Sequence, residues 1–389
     1  MIILGIETSC DETAVSIVEA DGGLQKPVFK LLGDALYSQI KIHAEYGGVF
    51  PAVAKREHAK NLIPLLTKAL EEAGMLVTKN TTETSNFNKE ELQKILEREL
   101  GLFELTKEFL ENYRKPIIDA IAVTSGPGLE PALWVGISFA RALGEAWNIP
   151  VIPTNHMEGH IVSPLLKAVA EENSQLLFPA LALLISGGHT EIVLMKNWLE
   201  YEVIGATRDD AVGEAFDKVA RLLGLPYPGG PEISKLAAEA REKNITSSYS
   251  LPRPMIKSGD YSFSFSGIKT AVLYTVKKIP DITHQVKLEI AREFEDAVTE
   301  VLVAKVRKAL EAQEVKTLIL GGGVVANTYI RESFKKLIFQ EFSDTKLLIP
   351  DFKLSTDNAV MIAMAAYLNI SGGKKQSTET IKAEGNLKL

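Results

Sequence analysis

The chain has one cysteine, Cys10, in 389 residues. That count excludes a disulfide framework and any zinc site built from several thiolates, and it fits a reducing compartment. An excess of basic charge is also missing. Lys and Arg number 43 against 50 Asp and Glu, a formal charge of −7, so the protein does not coat itself on nucleic acid by bulk charge. A local basic patch, or a partner that helps hold RNA, stays compatible with this balance. No apolar run approaches the ~20 residues that span a bilayer. The opening Met1-Ile2-Ile3-Leu4-Gly5 has no basic region and no cleavage site, so it reads as a strand of a cytoplasmic protein without a membrane association. Neither a P-loop nor a Gly-x-Gly-x-x-Gly fingerprint follows a strand.

What is present is an α/β pattern long enough for two lobes. Ile2 to Ile6, Ala14 to Glu19 and Lys30 to Ser38 read as an antiparallel meander, and Arg56 to Ala73 as a helix ended by Gly74. Residues 76–115 are polar and then strongly charged, which predicts a connection and one or two solvated surface helices inserted into the first lobe. A strand over Ile117 to Thr124 ends in Ser125-Gly126-Pro127-Gly128 and leads to a helix over Pro131 to Trp147. Val151-Ile152-Pro153 is a further strand, followed by a helix carrying two histidines.

A second cycle starts with Ala180 to Ile185, the turn Ser186-Gly187-Gly188-His189, and a strand over Thr190 to Met195. Two helices, a strand at Leu318 to Leu320 and a last helix over Thr356 to Leu368 follow. The strand–turn–strand opening thus occurs twice, which points to a duplicated α/β fold with a nucleotide cleft between two lobes. The expected boundaries are 1–175, 176–355 and a C-terminal segment 356–389 packing back on the first lobe.

Among the six histidines, His156 and His160 stand at i and i+4, on one face of a helix and at a spacing suited to one metal ion. Glu158 sits one place too late for a His-Glu-x-x-His protease, which turns its carboxylate by about 100 degrees around the helix axis. A carboxylate is the usual supplement to two imidazoles, and Asp357 is a candidate, although at the head of a helix it also reads as a cap. Ser186-Gly187-Gly188, Pro228-Gly229-Gly230-Pro231 and Gly321-Gly322-Gly323 allow close backbone approach to a nucleotide. The acidic loop Glu7 to Glu12 suits a general base, a metal's outer shell or a ligand for a substrate amine, and spacing does not choose among them. Cys10 reads as a packing residue.

Taken together these segments closely resemble the tRNA N6-adenosine threonylcarbamoyltransferase family (TsaD, relatives of the archaeal and eukaryotic Kae proteins). The matching stretches are Gly5 to Thr13, His43 to His58, Ser125 to Leu129, His156 to His160, Leu184 to His189, Asp209 to Lys218, Tyr227 to Pro231, Ser264 to Lys269, Gly321 to Asn327 and Ser355 to Ala359. They run in family order over nearly the whole chain. The resemblance implies an actin-like ATPase (ASKHA) fold of two duplicated RNase H-like lobes. It implies transfer of threonylcarbamoyl from threonylcarbamoyl-AMP to N6 of the adenosine 3′ of the anticodon, in tRNAs reading codons that begin with adenosine, with release of AMP.

By motif the resemblance assigns one divalent metal ion, iron or zinc, to His156, His160 and Asp357. It assigns the adenylate to Leu184, Ile185, Ser186, Gly187, Gly188, Asp217, Gly230 and Asn327. Asp11, Glu12 and His189 are candidates for proton transfer or for holding the threonyl end. The Ala-Phe-Asp-Lys and Ser-Gly-Ile-Lys versions resemble the bacterial branch, which implies TsaB-like and TsaE-like partners and a TsaC-type enzyme that supplies the intermediate. Residues 76–115 exceed the usual family length, and Leu129 to Trp134 and Val49 to Ala54 depart from the common bacterial form. The rival readings are an actin-like small-molecule kinase and a nucleotide-binding scaffold. Lys55-Arg56, Arg253, Lys257 and Lys374-Lys375 are candidate tRNA contacts.

Overall fold

The computed structural model describes residues 1–80, 87–99, 101–168, 176–374 and 381–389. The chain divides into two compact units, Met1–Ser174 with Asp357–Leu389, and Gln175–Thr356. The first opens with the antiparallel meander β1 (Ile2–Glu7), β2 (Glu12–Asp21) and β3 (Val28–Ser38). It continues through α1 (Ile40–Ala44), α2 (Pro51–Glu72), α3 (Lys89–Leu96) and α4 (Leu102–Asn112). Then come β4 (Ala120–Gly126), α5 (Glu130–Trp147), β5 (Val151–Asn155), α6 (His156–Val162) and α7 (Leu165–Ala168). Strands β4 and β5 run parallel to β1, giving the order β3-β2-β1-β4-β5.

The second unit repeats the plan. Its meander is β6 (Ala180–Ile185), β7 (Thr190–Asn197) and β8 (Glu200–Ala206). Helices α8 (Val212–Leu222), α9 (Gly229–Glu242), α10 (Ser266–Val276) and α11 (His284–Gln313) lead to β9 (Thr317–Gly321). A 3₁₀ turn (Gly323–Ala326), α12 (Thr328–Glu341), β10 (Lys346–Leu348) and α13 (Phe352–Ser355) complete it. The order β8-β7-β6-β9-β10, with β6, β9 and β10 parallel, mirrors the first sheet strand for strand. The duplicated α/β architecture read from the repeated strand–turn–strand opening is therefore present.

The chain returns to the first unit as α14 (Ala359–Ser371). One face of the first sheet, with Leu4, Ile6, Val15 and Ile17, packs into a core with Leu62 and Leu66 of α2 and Val135 and Phe139 of α5. The opposite face is covered by α14, which lies against β1 and β2. Coverage on both faces is why β1 is a continuous apolar run rather than an alternating one. It is also why α14 is apolar all round, with every residue from Ala359 to Asn369 buried. The approach is close: a Cβ on Gly5 would lie 2.2 Å from the Ala359 carbonyl oxygen.

Several expectations are revised. Four helices rather than two lie between β7 and β9, and β8 was not foreseen because it is a largely exposed strand at the sheet edge with no apolar alternation. Strand β10 has three residues, too short for a periodic signal. The last helix begins at Ala359 rather than Thr356, because Asn358 caps it by accepting from the Met361 N–H. The inserted helices are not merely solvated. Leu92, Leu96, Leu102, Phe109 and Leu110 join the core of the first unit, and Thr78 bridges to Tyr113 across the base of the insertion. Within 76–115, residues 81–86 and 100 lie outside the described ones.

Candidate functional site

Helix α6 begins sharply at His156 because the Asn155 side chain accepts from the Met157 and Glu158 N–H groups. Its two imidazoles share a face, with ring centroids 4.6 Å apart and planes at 86°. Gly159, between them, faces α14: a Cβ there would come within 2.8 Å of Met361 Cγ. Two glycines, Gly5 on β1 and Gly159 on α6, thus admit the first turn of α14 and bring Asp357, just ahead of it, to the histidines. Asp357 Oδ1 lies 3.3 Å from His156 Nε2 and 3.2 Å from His160 Nε2. Asn358 is the cap of α14, so Asp357 is free of that duty and the reading of it as a cap is set aside.

These three residues could hold a metal ion, since one ligand atom from each lies within 4.8 Å of the others. The spacing fits: bonds of about 2.0–2.1 Å in tetrahedral geometry put ligand atoms about 3.3 Å apart. The buried His160 ring adds a second reason: among the described residues its Nδ1 has no hydrogen-bond partner and its Nε2 meets only the Asp357 carboxylate. Buried polar groups so sparsely partnered are costly, and a bound cation would relieve that cost. Burial works against ionisation of Asp357, yet the charge and hydrogen bonds of the two imidazoles hold it well below the ordinary carboxylate range. Burial likewise opposes a charged His156, but Asp357 and Glu7 push it upwards, whereas burial and the neighbouring His156 lower His160. The pocket holds opposed charges in a dry setting, as metal-ligating sets do.

Glu158 points elsewhere. Its carboxylate accepts from Asn369 Nδ2 at 2.7 Å and from Lys374 Nζ at 3.2 Å, tying α6 to the far end of α14. That geometry removes the protease reading. Glu7, at the end of β1, turns into the site instead, and its Oε2 lies 3.0 Å from His156 Nδ1.

Asp11 and Glu12 stand beside this centre. Burial, followed by the charges of Asp11 and Asp357, pushes Glu12 well above its usual range, and burial raises Asp11 as well. Shifted carboxyls of this kind suit proton transfer or a cationic ligand. Burial and then the neighbouring carboxylates push the Cys10 thiol well up, so it stays protonated and inert as a nucleophile. The loop carrying these groups rests on His58, whose Nε2 lies 3.0 Å from the Cys10 carbonyl and whose Nδ1 is 2.8 Å from the Thr13 hydroxyl. Gln39 links His58 to His43, so the histidines of the His43 to His58 stretch act as a scaffold.

In the second unit, Gly187, Asp217, Gly230 and Asn327 line one cavity of about 580 Å³, the size of a nucleotide site. Leu184 and Ile185 do not line it; their side chains are fully buried in β6. Ser186 and His189 close the tight turn: the Ser186 N–H donates to the His189 carbonyl and the His189 N–H donates to the Ser186 hydroxyl, with Gly188 exposed. Asp217 accepts from the Gly229 N–H at the start of α9.

Two cavity residues were missed in the sequence. The buried Glu295 and the half-buried Arg241 form an ion pair, and Glu295 also accepts from Asn327 Nδ2 at 2.6 Å. Arg241 stacks 3.4 Å above the Tyr329 ring. The available signal was a glutamate set directly after Phe294 on the apolar face of α11.

The candidate tRNA contacts fare unevenly. Lys55 pairs with the buried Glu99, Arg253 with Glu293 and Glu300, and Lys374 with Glu158, so these three are occupied within their own units. Lys257 is exposed, and Lys375 is outside the described residues. Among the described residues no helix is long and apolar enough to cross a membrane.

Comparison with known proteins shows the family. The family model described as "TsaD: tRNA N6-adenosine threonylcarbamoyltransferase" matches residues 30–81 and 102–364, leaving unmatched the stretch that contains α3. A protein named tRNA N6-adenosine threonylcarbamoyltransferase from Thermosipho africanus is 43% identical over 394 aligned residues and covers 100% of both chains. Proteins of the same name from Burkholderia mallei (42%, 97% of this chain and 95% of that one) and Nitrosospira multiformis (40%, 100% and 98%) are similar over their full lengths. With its duplicated sheets of actin-like ATPase type and its His–His–Asp cluster, the chain belongs to the TsaD family of tRNA N6-adenosine threonylcarbamoyltransferases.

Proposed function

We propose that this protein transfers the threonylcarbamoyl group from threonylcarbamoyl-AMP to N6 of the adenosine 3′ of the anticodon, in tRNAs reading codons that begin with adenosine. The amine nitrogen bonds to the carbamoyl carbon, the bond from that carbon to the phosphate oxygen breaks, and AMP leaves with the electron pair while N6 loses a proton. The observation that carries this reading is the convergence of His156, His160 and Asp357 in a chain of this family. These three residues would hold a divalent ion, zinc or iron, whose charge would orient the donor and polarise its carbonyl.

The chain's own groups do the rest. The cavity lined by Gly187, Asp217, Gly230 and Asn327 takes the adenylate, with Gly187 and Gly188 offering backbone N–H groups. Glu12 and Asp11, with raised proton affinity, accept the N6 proton or hold the threonyl ammonium. His189 is a further candidate for proton transfer. The protein works in the cytoplasm with TsaB-like and TsaE-like partners and receives its donor from a TsaC-type enzyme. A small-molecule kinase of the same fold would leave the two imidazoles without a task.

The test is to incubate the metal-loaded protein and its partners with threonylcarbamoyl-AMP and unmodified tRNA. Mass spectrometry should then show the threonylcarbamoylated nucleoside and one AMP per transfer. Absence of product with a full partner set would overturn the reading.

A further inference from the structure

Glu7 is buried completely, and its carboxylate is surrounded by donors. Oε1 accepts from the Ser9 N–H at 2.5 Å, and Oε2 accepts from the Thr124 hydroxyl at 2.7 Å. The third neighbour is His156 Nδ1, 3.0 Å from Oε2. An ionised carboxylate can only accept, so the proton between them must sit on Nδ1. With an ion bound, a neutral His156 would then carry its lone pair on Nε2, the atom that faces Asp357 at 3.3 Å. We infer that Glu7 is a positioning residue that fixes the tautomer and ring orientation of His156 for metal ligation, an assignment that rests on the metal reading above.

Three observations support this over simple pairing of neighbours. First, the hydrogen-bond needs of Ser9 and Thr124 would be met by any acceptor; only the imidazole requires a group unable to donate. Second, a competitor near Nδ1, the Ser9 hydroxyl, is farther away at 3.3 Å and can donate or accept, so it does not dictate a tautomer. Third, among the described residues His160 has no equivalent partner on its Nδ1. The site is therefore built with one anchored imidazole and one that adapts. Glu7 is also joined through β1 to Gly5, the residue that admits α14, so the same strand sets both the His156 ring and the position of Asp357. Outer-shell carboxylates of this kind raise the basicity of a ligating imidazole, and their loss typically weakens metal binding by about 10- to 100-fold.

The test compares metal affinity of the full-length protein with that of Glu7→Gln, Ser9→Ala and His160→Ala, each stripped of metal. Zn²⁺ is titrated against a competing chelator, and the Co²⁺ form is followed by its visible absorption. Glutamine keeps the shape but can turn an N–H towards Nδ1, which would move the ring proton to the ligating nitrogen. The expected result is Zn²⁺ binding about 10- to 100-fold weaker with an altered Co²⁺ spectrum, while Ser9→Ala stays at the wild-type affinity. Wild-type affinity in Glu7→Gln overturns the inference. Should Glu7→Gln not fold, Glu7→Asp withdraws the carboxylate by one methylene, and an unchanged affinity there overturns it equally. The metal reading fails separately: it is refuted if His160→Ala also binds Zn²⁺ as tightly as the wild type.

Discussion

His58 is fully buried and hydrogen-bonded on both sides of its ring, with Nε2 against the Cys10 carbonyl and Nδ1 against the Thr13 hydroxyl. The carbonyl can only accept, so the ring is neutral with its proton on Nε2, and Nδ1 accepts from Thr13. Burial is the main reason that its pKa falls from 6.5 to about 4. The folded state therefore binds its proton later than the unfolded chain does. Stability from this group is fully present above pH ~6.5, declines as the pH falls towards ~4, and is constant below that. At 1.36 kcal/mol per unit of pKa, the loss across this window is on the order of 3 kcal/mol, with a slope of at most about 1.4 kcal/mol per pH unit.

Other groups titrate in the same range, so the measurement has to be a difference. Urea unfolding of the metal-free protein would be followed at several pH values between 4 and 8 for the wild type and His58→Gln, in a Trp198→Phe background. Trp134 and Trp147 then report the first unit alone. Glutamine cannot take up a proton, so the stability gap between the two proteins should narrow by roughly 3 kcal/mol as the pH falls from 8 to 4. A gap that stays constant to within about 0.5 kcal/mol would refute the buried neutral imidazole.

Three further outcomes are expected. Gly5→Ala places a Cβ 2.2 Å from the Ala359 carbonyl oxygen, so α14 must shift. The first unit should lose about 2–3 kcal/mol in urea unfolding, and metal content should fall with it. Asp357→Asn should reduce bound metal below a tenth of the wild-type stoichiometry in elemental analysis, and treating the wild type with a chelator should abolish transfer until Zn²⁺ or Fe²⁺ is restored. Arg253→Ala should leave tRNA affinity within about twofold while lowering the stability of the second unit by roughly 1 kcal/mol, because its guanidinium is committed to Glu293 and Glu300. Filter binding at fixed salt checks the first part and urea unfolding the second.

Much of this protein follows from local chemistry. The apolar run of β1, the Asn155 cap that starts α6, and the i, i+4 placement of His156 and His160 depend on neighbours within a turn or two, so they are legible in the chain itself. The repeated strand–turn–strand opening likewise foretold the two matching sheets. What local chemistry could not decide was Asp357, whose spacing favours a cap until Asn358 is seen to do the capping. Glu7, Arg241 and Glu295 carry no motif either; each acquires its role from a residue at least thirty positions away. The surface helices α3 and α4 hid a buried face behind their charge.

The candidate metal centre divides along the same line. The i, i+4 spacing of its two histidines was legible in the chain itself. The approach of Asp357 to them depends on packing, because Gly5 and Gly159 let α14 come close and β1 carries Glu7 to the far side of the His156 ring.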